Sequence, residues 1–165
     1  MKHTIQRMEI FGVDMPLAGN FTSAGITKNV TKCVVIRLTA SSGAIGISSI
    51  EPSAAAKSPG TAVELAATLR DKIAPAIVGQ DALNLHKLIE LFDKLTPAQP
   101  DAGAGAEMAC VDLAANIHGV SMQTYLGGSV TDEVRFNGWI GALPPAEAAA
   151  EGKRWLKAGF KSAKI

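Results

Sequence analysis

The strongest constraint on the fold lies at the end of the chain. Val134 to Ile140 is an apolar, strand-like run, and a helical pattern bounded by Pro144-Pro145 and Gly159 follows it. Gly159-Phe160-Lys161-Ser162-Ala163-Lys164-Ile165 then reads as a second strand. Strand, helix and strand in roughly thirty residues make a βαβ unit, whose parallel strands must continue into a larger sheet. The sequence stops on the second of these strands. The expectation is therefore a sheet that this chain leaves unfinished.

Upstream, the pattern changes. Ile5 to Leu17 reads as a long strand, with Met8 and Ile10 in one phase and Phe11, Val13, Met15 and Leu17 in the other; the slip predicts a bulge near Phe11-Gly12. Cys33 to Thr39 is a second strand with Val34, Ile36 and Leu38 on one face. Ser41-Ser42-Gly43 turns it into a third, around Ala44 to Ser48, which completes an antiparallel meander. Helices follow. Thr61 and Glu64 form a capping box ahead of Ala62, Leu65, Ala66, Leu69 and Ile73 at helical spacing, and Pro75 and Gly79 are expected to end the element. Asp81 is the expected cap of a helix carrying Leu85, Leu88, Ile89 and Phe92. Beyond Pro97 and Pro100 a third helix presents Ala106, Ala109, Cys110, Leu113 and Ile117, small enough to allow close backbone packing. Ala18 to Lys32 and Ser49 to Gly60 read as irregular: either binding loops or plain surface connections.

Composition excludes several classes. With 47% hydrophobic and 19% charged residues the chain is neither disordered nor fibrous. The net charge of +1, with no basic stripe, gives no footprint for nucleic acid. No apolar run approaches the roughly 20 residues that span a bilayer, and no secretory signal is evident. The expected location is the cytoplasm, where Cys33 and Cys110, each in an apolar pattern, are expected to be buried free thiols. His3, His86 and His118 lack metal-ligand spacing.

A meander, a helical layer and then a first βα unit is a specific order. The segment Ala109-Cys110-Val111-Asp112-Leu113-Ala114-Ala115, with Gly119 and Tyr125-Leu126-Gly127-Gly128, resembles the signature of the enolase superfamily, in its mandelate racemase and muconate lactonizing enzyme branch. The run from Gly159-Phe160 to Lys164-Ile165 resembles that family's Lys-x-Lys strand without its second lysine. Asn116 stands where the family commonly has a basic residue, and Met122 and Tyr125 replace aliphatic ones; all three are read as packing positions. The fold class implied is α+β: residues 1–130 as an enolase-type N-terminal cap domain, and residues 131–165 as the first strand, helix and second strand of an incomplete (β/α)8 barrel.

The resemblance also implies a chemistry: abstraction of a proton α to a carboxylate, giving an enediolate stabilised by Mg2+. Such a carbon acid is very weak, so the developing charge needs electrostatic stabilisation before a side-chain base can compete. Lysines one residue apart on a strand project to one side, so one can depress the other's pKa. Lys164 matches the first lysine of that pair, at the substrate carboxylate. The second would be the residue after Ile165, and the acidic metal ligands would come from later strands, so no Asp or Glu here is assigned to metal. Apart from the resemblance, a lysine near a strand end is ordinarily a solvated surface group. Asn137 and Trp139 alternate on the first barrel strand and are candidates for substrate contact; Trp139 floors the pocket or serves as a barrel-core or cap-contact aromatic. Phe21 and Ile26 lie in the first irregular stretch, which resembles the family's specificity loop.

The reading is thus the N-terminal part of a Mg2+-dependent racemase, epimerase, cycloisomerase or acid-sugar dehydratase. It would act on a small carboxylate and form a homo-oligomer at full length. A barrel needs about 250 residues, so the 165-residue chain is expected to be inactive alone. The rivals are a non-catalytic cap fragment that only binds or assembles, and a self-contained α+β binding domain.

Overall fold

The computed structural model describes residues 3–23, 26–52 and 61–165, and the side chains of all of these except 19–23 and 26. Two compact units result, Met1–Met15 with Lys32–Ser129, and Pro16–Thr31 with Val130–Ile165.

Strands β1 (Ile5–Ser23), β2 (Ile26–Ala40) and β3 (Ile45–Ile50) form one sheet in that order. The β2–β3 pair is antiparallel, with Ile36 opposite Ser48 and Leu38 opposite Gly46. Gly43, at φ 83°, makes the turn between them. Strands β1 and β2 are hydrogen-bonded neighbours separated by two residues, and strands so closely joined run antiparallel. That overturns Ala18 to Lys32 as an irregular stretch: its described residues are strand. The β-branched Thr22, Ile26, Thr27, Val30 and Thr31 favour pleated pairing, and this outweighs the glycine and asparagine among them. In the other irregular stretch Ser49 and Ile50 also belong to a strand, and 53–60 lie outside the described residues. Met8 and Ile10 pack against the core while Phe11 and Met15 are exposed, and Gly12 is not among the glycines with positive φ.

Helix α1 (Ala62–Thr68) starts with the expected capping box: Glu64 N donates to Thr61 Oγ1 at 3.3 Å, and Thr61 N to Glu64 Oε2 at 2.6 Å. Pro75 does not end it. Leu69–Ile73 widens into a π turn, so that Ala74 N bonds the carbonyl of Leu69, five residues back. The wide turn accommodates a residue with no N–H and a bulky ring, and the helix continues as α2 (Ala74–Ile77). It stops at Gly79, φ 87°. The cap of α3 (Leu85–Leu95) is Asn84, not Asp81. Asp81 instead accepts from Leu83 N at 3.1 Å, the local two-residue bond that aspartate favours in turns. Leu88 and Phe92 are buried, and Leu85 packs beside them.

Helix α4 (Pro100–Ile117) covers the sheet. Val34, Ile36 and Leu38, all fully buried, meet Ala102, Ala106, Ala109, Cys110 and Leu113 in one core. Small residues set the spacing. A Cβ on Gly46 would collide with Ala109 O and would lie 2.6 Å from Leu113 N; one on Gly105 would lie 3.1 Å from Ile36 Cδ1 and Ile50 Cγ2. Three polar side chains then tie helix to strand. Ile47 N donates to Asp112 Oδ2 at 2.8 Å, Asn116 Nδ2 to Ile45 O at 2.8 Å, and Ser48 Oγ to Gly105 O at 2.7 Å. Because β3 is an edge strand, its outward N–H and C=O groups need partners, and α4 supplies them. Asn116 is thus an exposed hydrogen-bonding residue, which corrects its reading as a packing position. A short α5 (Met122–Tyr125) follows, and Tyr125 stacks on His118, the C-cap of α4. Both cysteines are buried and free.

In the second unit, β4 (Gly138–Trp139) and β5 (Ala163–Lys164) form a parallel pair connected through α6 (Pro145–Lys157). The strands expected over Val134 to Ile140 and Gly159 to Ile165 are thus only two residues long. Among the described residues each of these strands has a single neighbour; Val134 and Phe136 are 75% and 76% exposed. Among the described residues, no helix is long and apolar enough to cross a membrane.

Two outcomes follow from the core. At Gly46 the obstructing atoms are largely backbone, which cannot move aside, so Gly46→Ala is expected to lower stability by about 3 kcal/mol; the urea midpoint of the purified chain measures this. Burial, aided by the Glu107 carboxylate, pushes the Cys110 thiol from 9.0 up to about 12. The unfolded chain therefore loses this proton first as pH rises. Its contribution to stability is complete below pH 9 and declines from there toward pH 12, by up to ~1.4 kcal/mol per pH unit. Urea titrations above pH 9 should show a steeper decline for the wild type than for Cys110→Ala.

Candidate active site

The two faces of the β4–β5 pair do different work. A Cβ on Gly138 would come within 2.6 Å of Trp155 Cγ, and one on Gly152 within 3.5 Å of Ile140 Cδ1, so Gly138 and Ile140 face α6. Alternation along the strand turns Asn137 and Trp139 to the opposite face. The register places Gly138 beside Ala163 and Trp139 beside Lys164. Ser162 Oγ donates to Asn137 Oδ1, one step earlier on that same face. Three of the predicted residues, Asn137, Trp139 and Lys164, therefore share the face turned away from the helix. Pairs of this kind across neighbouring strands are in side-chain contact range.

Their surroundings differ. Lys164 and Asn137 are exposed and Trp139 is half-buried. Ile140 N donates to Lys164 O at 2.8 Å and Gly138 N to Ser162 O at 2.9 Å, which fixes the backbone under Lys164. Lys164 makes no ion pair among the described residues. Its ammonium faces outward at the C-terminal end of its strand, where barrel enzymes place their chemistry. An exposed ammonium can pair with a carboxylate, at a net gain of about 1 kcal/mol or less while both stay solvated.

Phe21 and Ile26 lie at the end of β1 and the start of β2, and their side chains are outside the described residues. The segment that carries them belongs to the same compact unit as β4, α6 and β5. A concavity of about 700 Å3, lined by Arg135, Phe136, Phe160 and Lys161 and also by the predicted Asn137 and its partner Ser162, opens before the two strands, at their N-terminal ends. It includes neither Trp139 nor Lys164, and that end of a barrel ordinarily serves stability. Geometry therefore favours the Lys164 face over the roomier hollow.

Among the described residues no three of His, Cys, Asp or Glu come together to hold a metal. Glu151, near the strands in sequence, is already paired with Arg154. The described residues do not make a divalent-metal site by themselves. Sequence reasoning missed Ser162 and Trp155, although Gly138, the one residue without a side chain in Asn137-Gly138-Trp139-Ile140, signals that something bulky lies against the helix side of β4.

Comparison with known proteins agrees with this architecture. The family described as "Mandelate racemase / muconate lactonizing enzyme, N-terminal domain" matches residues 6–127. The L-Ala-D/L-Glu epimerase of Bacillus subtilis is 26% identical over 162 residues, 98% of this chain and 43% of the relative. Its substrate-liganded structure superposes with a TM-score of 0.91, covering 98% of this chain and 45% of that one. The cis-3-hydroxy-L-proline dehydratase of Roseibium aggregatum is 30% identical over 132 residues, 79% of this chain and 36% of the relative. A dipeptide epimerase from Methylococcus capsulatus, complexed with Mg and the dipeptide L-Arg-D-Lys, is 25% identical with a TM-score of 0.88, covering 100% of this chain and 46% of its own. The chain spans less than half the length of the relatives it matches. It belongs to the mandelate racemase and muconate lactonizing enzyme branch of the enolase superfamily, whose N-terminal domain it carries.

Proposed function

We propose that this chain supplies the N-terminal part of a Mg2+-dependent enzyme that abstracts a proton α to a carboxylate. Residues 1–130 are the cap and residues 131–165 begin the barrel. The observation that carries the reading is the register that sets Lys164 beside Trp139, with Asn137 on the same face, turned away from α6. Lys164 binds and orients the substrate carboxylate, and its fixed charge favours the doubly charged enediolate over the singly charged carboxylate ground state. Trp139 and Asn137 form the wall beside it. Phe21 and Ile26 contribute specificity from the hairpin, a role supported by their segment's place in the same compact unit. The second lysine and the metal ligands would follow Ile165 in a longer protein.

The relatives include an epimerase and a dehydratase, and removal of such a proton is a first step that both kinds of reaction can share. Racemase, epimerase, cycloisomerase and acid-sugar dehydratase chemistries all fit the Lys164 face, because groups elsewhere decide what becomes of the enediolate. A second reading, assembly without catalysis, draws on the exposure of Val134, Phe136 and Ile165 around an unpaired strand edge.

The test uses a protein that carries this chain within its full length, in D2O with Mg2+ and α-substituted carboxylates, beginning with L-Ala-L-Glu. Lys164→Ala is expected to slow exchange of the α proton by about 10²-fold or more. The 165-residue chain alone is expected to show none. Exchange at the wild-type rate in Lys164→Ala, or turnover by the isolated chain, would remove Lys164 from the mechanism or show that the base lies within these residues.

A further inference from the structure

Lys164 sits on a strand only two residues long, so something besides the ladder must hold it. The β5 side of β4 is served by Gly138 and Ile140, whose amides bond Ser162 O and Lys164 O. Alternation points the Trp139 backbone groups the other way, toward the open edge of β4. There the carbonyl of Trp139 accepts from Trp155 Nε1 at 2.8 Å. Trp155 comes from α6, and its ring lies against Gly138, where a Cβ would stand 2.9 Å from Cδ2. The ring is itself held in place. Phe160 packs edge-on at 4.8 Å between centroids, and the Arg154 guanidinium lies 4.9 Å from the ring centre. Phe160 N also bonds the carbonyl of Trp155 at 3.1 Å. One side chain thus grips β4 on its open edge and on its helix face, while β4 grips β5 on the other edge.

We propose that Trp155 is a positioning residue: its indole N–H on the Trp139 carbonyl fixes the β4–β5 register and thereby the place of Lys164 beside Trp139. The inference rests on the reading of Lys164 given above for its importance, but its geometry can be tested without any substrate. It pairs Gly138 with Trp155, since only a residue without Cβ admits the indole against the strand.

Amide and indole hydrogen exchange by NMR on this chain is the test. In the wild type the Trp155 indole proton should exchange about tenfold more slowly than a free indole. Trp155→Phe keeps a ring and removes the donor; Gly138→Ala pushes the ring off the strand. Both should speed exchange at the Gly138 and Ile140 amides by about tenfold, with Leu38 and Leu113 in the other unit unchanged. Both should also remove the nuclear Overhauser contacts between the Trp139 ring and the Lys164 methylenes, a signature that a loss of stability alone would leave intact in the folded population. An indole proton exchanging at the free rate, or unchanged contacts and exchange in both variants, would overturn the proposal. Failure here leaves the role of Lys164 standing, and loss of that role by the α-proton experiment leaves this geometry standing.

Discussion

The larger unit depends on how closely helix α4 lies against strand β3. Gly46 and Gly105 remove the side chains that would keep the two apart, and the carbonyl of Ala109 fills the space a Cβ would take on Gly46. Close approach brings Asp112 and Asn116, one helical turn apart, onto the backbone of Ile47 and Ile45. The sheet edge is satisfied by side chains instead of by another strand, and Ile36 and Leu38 are sealed beneath the helix. Dispersion and apolar burial act at short range, so an increase of one ångström in this spacing would weaken the core and break the polar ties together. The small residues of α4 are therefore as decisive for this fold as its one leucine, Leu113.

Much of this was legible in the sequence because the signals are local. Val34, Ile36 and Leu38 alternate, Thr61 and Glu64 satisfy each other across a single turn, and Gly43, Gly79 and Gly159 adopt the positive φ that marks an end or a turn. The misreadings come from choices that depend on partners distant in sequence. The described residues between Ala18 and Lys32, with Gly19, Asn20 and Asn29 among them, form strands because each strand has the other to pair with. Pro75 is tolerated because a π turn precedes it. Asp81 and Asn84 are both good caps, and the helix starts at the second because Asp81 is already engaged with Leu83 and pairs with Thr4. Asn116 was read as packing because nothing in a helical wheel shows which strand edge a side chain will meet.

The candidate site was legible in part. Period-two alternation correctly grouped Asn137 with Trp139, and the parallel register added Lys164 to their face. Trp155 carries no such pattern, since its role depends on a carbonyl sixteen residues away. Metal ligands and a second lysine are a different matter: with a chain that spans 43% of a relative, chemistry assembled from many strands cannot all fall within it. The division of labour in this fold explains that split. On the proposed reading the cap contributes closure and specificity, while the reacting groups stand on successive strands of the barrel.

On the proposed reading these residues act as one part of a longer enzyme. The intact mass of the protein isolated from its native source tests this most directly. The expected mass is more than twice 17.1 kDa, with a lysine directly after Ile165 when that protein is sequenced. A native mass of 17.1 kDa would contradict it and would make binding or assembly the function to explain.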